Sequence, residues 1–112
     1  MIIAVDFDGA LAENAYPDIG EPINPVIAFV KWKQAKCAKV ILWTCRKGKE
    51  LEAALLWCEV RGIRFDAVNE NLPEVIEKFG GDTRKIYADL YIDDRAINPW
   101  ETPRRAIKLN AQ

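Results

Sequence analysis

Short apolar runs alternate with segments of helical pattern along the chain. Met1–Val5 and Lys39–Trp43 are apolar and partly β-branched, which is typical of strands buried on both faces. A weaker strand is predicted at Arg64–Val68, and the segment Tyr87–Ile92 is predicted to contain the last clear strand. Because strands alternate with helices, the pattern predicts βαβ units and a mostly parallel sheet covered on both faces, a three-layer α/β/α sandwich.

Three helices are predicted between these strands. The first begins at Asn24-Pro25, where Asn24 suits the N-cap and Pro25 suits the first helical position. The second runs from about Gly48 to Arg61, and Gly62 is well placed to end it. The third is short, from Pro73 to Phe79.

The remaining segments are short and suggest no second domain. The stretch from Ala10 to about Asn24 is predicted to be irregular, because Pro17, Gly20 and Pro22 interrupt it. Residues 105–109 are compatible with a short edge strand. The 112 residues contain no repeat, low-complexity segment or linker, so we expect one domain, residues 1–112, that forms a core without disulfides.

The composition excludes several classes of protein. Hydrophobic residues make up 50% of the chain and charged residues 29%, as in ordinary globular proteins. A net charge of −1 argues against the basic surface that non-specific nucleic-acid binding needs. Three cysteines without a CxxC pair indicate free thiols in a reducing compartment. With no leader and no long apolar run, we expect a cytoplasmic protein without a membrane partner.

The absence of histidine restricts the chemistry further. It excludes Ser-His-Asp and Cys-His nucleophile pairs, and it excludes most zinc catalytic sites. Acid–base chemistry therefore has to come from Asp, Glu, Lys, Tyr or Cys. Cys45 is a poor candidate nucleophile, because no histidine can activate it.

Polar side chains follow three of the apolar runs. Asp6 and Asp8 follow the first, Thr44 follows the second, and Asp93 and Asp94 follow the last. Because parallel strands end at the same edge of a sheet, these groups are expected to converge there. Crowded carboxylates repel one another unless a cation joins them, and an all-oxygen ligand set favours Mg²⁺. The pattern therefore predicts a magnesium site suited to phosphate chemistry.

Four short motifs at these positions resemble those of the haloacid-dehalogenase-like (HAD) phosphatase superfamily. In the order expected for that family they are Asp6-Phe7-Asp8-Gly9-Ala10-Leu11, Ile41-Leu42-Trp43-Thr44, Lys85 and Ile92-Asp93-Asp94. The set spans residues 2 to 94, most of the chain. The resemblance implies a Rossmann-like, HAD-like sheet. The short segments 11–24 and 69–85 leave no room for the cap domain found in many members.

The resemblance also implies a two-step hydrolysis of a phosphate ester. Asp6 would form an aspartyl-phosphate, and Asp8 would act first as general acid and then as general base. Thr44 and Lys85 are also implied as catalytic residues: Thr44 would donate a hydrogen bond to a phosphoryl oxygen, and Lys85 would place a cation against the same oxygens and orient Asp6. Implied substrate contacts are Gly9, Thr44, Cys45, Arg46 and Lys85. Implied ligands of Mg²⁺ are Asp6, Asp8 through its backbone carbonyl, Asp93 and Asp94; the sequence leaves open which of the last two binds directly.

Two details of the sequence bear on these roles. Ala10 stands where the family commonly has threonine, so weaker support of the nucleophile loop is expected, while the nucleophile, acid and metal ligands remain. Asn69 and Asn71, which follow the third predicted strand, are equally compatible with substrate contact and with capping a turn.

The sequence leaves three functions open. The first is a phosphatase acting on a phosphorylated small molecule; its open site suits a bulky substrate, or a small one if a homo-oligomer supplies the lid. The second is a nucleic-acid-end 3′-phosphatase, since Gly81–Lys85 followed by Ile92–Arg95 is similar to that part of phage polynucleotide kinase. The third is a phosphate-binding or regulatory module with little turnover, although receiver domains place their similar residues in a different order.

Overall fold

The computed structural model describes residues 1–97 and residue 99. The predicted edge strand at 105–109 lies outside these residues. The described part contains six strands and three helices. In chain order they are β1 (Ile2–Val5), β2 (Ala12–Ala15), β3 (Asp18–Pro22), α1 (Asn24–Ala35), β4 (Lys39–Leu42), α2 (Gly48–Val60), β5 (Ala67–Val68), α3 (Pro73–Phe79) and β6 (Leu90–Ile92).

Four parallel strands form the main sheet in the order β5-β4-β1-β6. β1 is central: Ile3 is paired with Val40 of β4 on one side and with Leu90 of β6 on the other. The chain passes outward from β1 to β4 and β5, then returns to the opposite side of β1. The direction of strand order therefore reverses between β1 and β6. The predicted mostly parallel sheet is confirmed.

The helices lie on both faces of this sheet, because alternate residues of each central strand point to opposite sides. Val40 and Leu42 pack in a cluster with α1 and α2, whereas Ile41 packs in a second cluster with α3. The residues of β1 from Ile3 to Val5 are at most 1% exposed. As the sequence pattern predicts, these central strands are buried on both faces.

The segment Ala10–Asn24 was expected to be irregular, and that expectation is wrong. It contains an antiparallel hairpin of β2 and β3. The hairpin is not evident from the sequence, because three of the four β2 side chains are exposed. The strand therefore lacks the alternation of apolar and polar residues by which strands are recognised. The breakers Pro17 and Gly20 add to this effect. A backbone hydrogen bond of 2.9 Å from the N–H of Ile23 to the carbonyl of Leu11 joins the two ends of the hairpin segment.

The helices differ little from the prediction. Ile23, not Asn24, occupies the N-cap position of α1, and no side chain caps the helix. α3 has the predicted bounds and ends at Gly80, whose φ of 75° favours glycine. Among the described residues, no helix is both long and apolar enough to cross a membrane.

The third strand is shorter than predicted, and the last strand lies within the segment predicted to contain it. β5 is limited to Ala67–Val68. Just before it, the side chain of Asp66 accepts the N–H of Val40 at 2.8 Å, and the N–H of Asp66 donates to the carbonyl of Val40 at 2.8 Å. β6 begins only at Leu90. Both strands still end at the predicted positions, and those ends are what bring the polar residues to the sheet edge.

Candidate functional site

The reversal of strand order places acidic residues side by side. Asp6 follows β1, and Asp93 follows β6, its neighbour in the sheet. The N–H of Asp6 donates to the carbonyl of Ile92 at 2.9 Å, which ties the two strand ends together. In open parallel sheets, ligands bind beyond the carboxyl ends of the strands at such a reversal. The fold thus puts these aspartates at the usual ligand position.

Three carboxylates meet at this point. Oxygens of Asp6, Asp93 and Asp94 lie within 4.8 Å of one another. Gly9 makes the close approach possible, because a Cβ at this position would lie 2.5 Å from Cγ of Asp94. Its φ of +88° is also one that other residues rarely adopt. The structure therefore brings together three of the four aspartates implied as metal ligands.

Asp6 lies in an unfavourable electrostatic position. Burial raises its pKa from 3.8 to about 6; a hydrogen bond of 2.7 Å from the N–H of Phe7 opposes this shift, and repulsion from Asp93, Asp94 and Asp8 adds to it. The ionised form of Asp6 is therefore held in the folded protein at a cost, as expected where a cation would offset the charge.

This cost leads to a prediction about stability. Folded Asp6 binds its proton more tightly than the unfolded chain does, so its contribution to stability is present below about pH 4 and is lost as pH rises towards 6. In EDTA at pH 7.5, Asp6→Asn should raise the free energy of unfolding by about 1–2 kcal/mol, a value reduced for partial exposure. Urea denaturation measures it.

A matched control removes a carboxylate away from the site. Glu77 is exposed on α3, so Glu77→Gln changes the same charge without touching the acidic cluster. We expect its unfolding free energy to stay within about 0.5 kcal/mol of the wild type. Equal or lower stability of Asp6→Asn in EDTA would contradict the cost assigned to the ionised Asp6 carboxylate, which comes from burial and from repulsion by its neighbours.

Asp8 lies apart from the three clustered carboxylates and forms an ion pair. Nε of Arg46 donates to its Oδ2 and Nη2 donates to its Oδ1, both at 2.8 Å. This bidentate salt bridge fixes the plane of the Asp8 carboxylate. The backbone carbonyl of Asp8, which the resemblance implies as the metal ligand, is a separate group that this ion pair leaves unbonded.

Arg46 has a different position from the one that the sequence suggested. The residue is 2% exposed, and its guanidinium also donates to the backbone carbonyls of Pro17, Asp18 and Glu50. A guanidinium has five N–H groups, and here all five have an acceptor. The expectation of a direct phosphate contact from Arg46 is therefore wrong for this arrangement, because no donor remains. Sequence reasoning could not find this arrangement, since three of the acceptors are backbone atoms.

Thr44 and Asn69 lie together at the ends of β4 and β5. The N–H of Thr44 donates to Oδ1 of Asn69 at 2.8 Å, and its Oγ1 accepts the N–H of Arg46 at 3.1 Å. Both residues line a cavity of about 390 Å³ that also contains Asp6 and Asp93. Asn69 thus lines the cavity of Asp6 while its amide oxygen accepts a backbone N–H, and substrate contact by this residue stays a prediction.

Asn71, by contrast, stabilises a turn through hydrogen bonds of its side chain. It is buried, and its Nδ2 donates to Oδ1 of Asp82 at 2.7 Å while its Oδ1 accepts the N–H of Tyr87 at 2.7 Å. These bonds fix the segment between α3 and β6. Asn71 lines neither cavity that contains Asp6.

The hairpin forms one wall of a second cavity at the acidic cluster. This cavity of about 460 Å³ is lined by Asp6, Asp8, Asn14, Tyr16, Cys45, Arg46, Asp93 and Arg95. Tyr16 is 58% exposed at its mouth. The sequence did not single out Asn14, because its strand went unrecognised. The cluster is therefore reached from the hairpin side as well as from the side of Thr44.

Lys85 lies outside both of these cavities. It lines another cavity, below α3, and its Nζ is 5.7 Å from the ring centre of Tyr91. Its neighbour Ile86 is buried in the core on the α3 side, whereas Lys85 is exposed. The structure therefore does not bring Lys85 to the carboxylates. Within residues 1–97 and 99, the cations that line the cavities of Asp6 are Arg46 and Arg95.

Cys45 and Ala10 occupy contrasting positions near the cluster. Cys45 is exposed and lines both cavities that contain Asp6, which is compatible with the predicted substrate contact. Ala10 is buried in the core cluster with Phe7 and Leu11. The methyl group at position 10 therefore packs in the core and does not line either cavity.

The fold and site define an α/β protein with a parallel sheet and an acidic site at the carboxyl edge of its strands. A solved structure of a conserved protein from Bacteroides thetaiotaomicron is 42% identical in sequence, with a TM-score of 0.76. The similarity covers 98% of this chain and 91% of that one, and the chain belongs to the same family as that protein. No protein-family model and no curated protein sequence matches the chain.

Proposed function

We propose that this protein is a HAD-like, Mg²⁺-dependent phosphomonoester hydrolase that acts through an aspartyl-phosphate on Asp6. The proposal depends chiefly on one observation: the Asp6 carboxylate lies at the reversal of strand order, within 4.8 Å of oxygens of Asp93 and Asp94. The four ordered motifs and the parallel sheet support the assignment. The Asp6 carboxylate faces an open cavity that a phosphate group can enter.

The donor set fits magnesium. Three carboxylate oxygens without imidazole or thiolate partners suit a hard cation. Burial raises the pKa of Asp6 and repulsion from Asp93, Asp94 and Asp8 adds to the shift, so a cation at this position would offset an unfavourable charge. Asp6, Asp93 and Asp94 would hold the ion, together with the backbone carbonyl of Asp8. When bound, the ion would neutralise charge on the phosphoryl oxygens.

The protein's own groups can carry out both displacements. In the first, an oxygen of Asp6 bonds to phosphorus while the bond from phosphorus to the ester oxygen breaks, and Asp8 gives its proton to that oxygen. In the second, water attacks phosphorus, Asp8 takes a proton from the water, and phosphate leaves Asp6. Arg46 occupies two of about four lone-pair positions of Asp8, so the others can bind the proton.

Thr44 would stabilise the phosphoryl group. Its hydroxyl lines the cavity shared with Asp6, so it can donate to an oxygen on which negative charge develops. Loss of one such donor typically costs about 3–4 kcal/mol of transition-state stabilisation. Lys85 lies outside both cavities that contain Asp6, so its contact with the phosphoryl oxygens stays a prediction from the resemblance alone.

Phosphorylated nucleic-acid ends stay a second candidate for the substrate. Tyr16 offers an exposed ring, and Arg95 offers a cation, on the hairpin side of the cavity. Exposed aromatic rings stack on bases, and cations bind the nucleic-acid backbone. The same wall also fits a small polar phosphate ester, so substrate choice is decided by assay.

The test is hydrolysis of p-nitrophenyl phosphate by the purified protein, with Mg²⁺ and with EDTA. We expect nitrophenol release that requires Mg²⁺, stops in EDTA and returns with excess Mg²⁺. Sugar phosphates, nucleotides and 3′-phosphorylated oligonucleotides then define the substrate. Equal turnover in EDTA contradicts the metal assignment. No turnover of any substrate, with phosphate binding seen by calorimetry, indicates a binding module instead.

A further inference from the structure

Arg46 connects three parts of the molecule that are distant in the sequence. Its guanidinium binds the carboxylate of Asp8 in the loop after β1, two carbonyls of the hairpin turn, and the carbonyl of Glu50 in α2. The contacts to the hairpin are with Pro17, at 3.2 Å, and with Asp18, at 2.7 Å. A single side chain thus joins the hairpin to the loop that carries Asp8.

Two aromatic rings lie within cation–π distance of the same guanidinium. Its central carbon lies 5.0 Å from the ring centre of Phe7, which is buried, and 5.2 Å from that of Tyr16, which is on the hairpin. Such contacts strengthen when the cation is removed from water. Arg46 therefore contacts one aromatic ring of the core and one of the hairpin, and the second contact involves Tyr16, which lines the cavity of Asp6.

We propose that Arg46 is a positioning residue that fixes the Asp8 carboxylate and clamps the β2–β3 hairpin over the acidic cluster. The clamp sets where Asn14 and Tyr16 stand relative to Asp6. The first part of this inference, on Asp8, rests on the proposed function. The second part, on the hairpin, does not, because it concerns the order of a segment that can be measured without turnover.

Arg46→Lys is the informative change. Lysine keeps the positive charge, but its compact ammonium group cannot bind a carboxylate with two parallel bonds and reach three carbonyls as well. We expect hydrogen–deuterium exchange of the hairpin amides, residues 12–22, to become about 10- to 100-fold faster. Exchange in β1 and β4 should stay slow, since their pairing does not involve Arg46.

Arg61→Lys is the matched control. Arg61 directly follows α2, stacks 3.7 Å above the ring centre of Trp57, and lines neither cavity that contains Asp6. Its replacement should leave hairpin exchange unchanged. Unchanged hairpin exchange in Arg46→Lys as well overturns the clamp, whatever the protein's activity.

A kinetic ratio tests the fixing of Asp8. Phenol is a poorer leaving group than p-nitrophenol and depends more on a well-placed acid. In Arg46→Lys, kcat for phenyl phosphate should fall about 10-fold further than kcat for p-nitrophenyl phosphate. If Arg46 only supports the fold, its replacement lowers kcat for both esters by the same factor. That result overturns the role of Arg46 in fixing Asp8.

Two further outcomes remain interpretable. If the wild type hydrolyses neither these esters nor any of the sugar phosphates, nucleotides and 3′-phosphorylated oligonucleotides, the proposed function and the role on Asp8 fail together, while hairpin exchange still decides the clamp. If Arg46→Lys does not fold, Tyr16→Leu takes its place, because Tyr16 is exposed and its loss spares the core. The clamp then predicts faster hairpin exchange in Tyr16→Leu, and an unchanged rate overturns it.

Discussion

Replacing Asp6 by asparagine is expected to lower kcat for phosphate release by about 10⁴- to 10⁶-fold, the usual loss when a nucleophile is removed. The amide has no anionic oxygen to attack phosphorus, and one of the three clustered carboxylates is lost with it. Release of nitrophenol at saturating Mg²⁺ measures the effect. Phosphate binding, followed by calorimetry, should persist in the variant.

The control for this experiment is again Glu77→Gln, whose rate should equal that of the wild type. Asp6→Asn is expected to fold, because it is predicted to be more stable than the wild type in EDTA. Activity above about 1% of the wild type would mean that another group attacks phosphorus. Loss of phosphate binding together with turnover would leave the nucleophile undefined, since binding alone would explain it.

Asp8→Asn is expected to reduce both activity and stability. Loss of a general acid and base typically lowers the rate by about 10²- to 10⁴-fold. The amide nitrogen would also face the N–H groups of Arg46, whose side chain is 1% exposed. Breaking a buried ion pair on one side typically costs about 3–5 kcal/mol of unfolding free energy. Urea denaturation in EDTA measures this loss.

Asp18→Asn provides the matched control, because Asp18 binds Arg46 through its backbone carbonyl and its side chain is exposed. We expect a change within about 0.5 kcal/mol. Asp6→Asn and Asp8→Asn should therefore move stability in opposite directions, although both lower activity. An Asp8→Asn variant as stable as the wild type would contradict the described ion pair.

The acidic cluster was predictable because it depends only on where parallel strands end. Asp6 and Asp93 are separated by most of the chain, but each follows an apolar run, and neighbouring parallel strands end at the same edge. The pairing partner of β1 did not have to be known in detail. Gly9 could also be singled out, although its close approach to Asp94 became visible only in the structure.

The surroundings of the cluster were less predictable, because they depend on backbone contacts and on burial. Arg46 was expected to face phosphate, yet its partners include the carbonyls of Pro17 and Asp18 in a hairpin without apolar alternation. Lys85 was assigned by resemblance to a motif. Its position in the structure follows instead from the burial of its neighbour Ile86, and a single sequence does not reveal which of two adjacent residues turns inward.

The central place of β1 has a consequence for how the chain folds during synthesis. β1 is made first and finds β4 after some forty residues, but its other edge is paired only by β6, near residue 90. Until then a nascent chain presents an apolar strand edge, the kind of surface on which chains associate wrongly. β6, the last strand to emerge among residues 1–97, therefore covers that edge and, in the same step, brings Asp93 and Asp94 to Asp6.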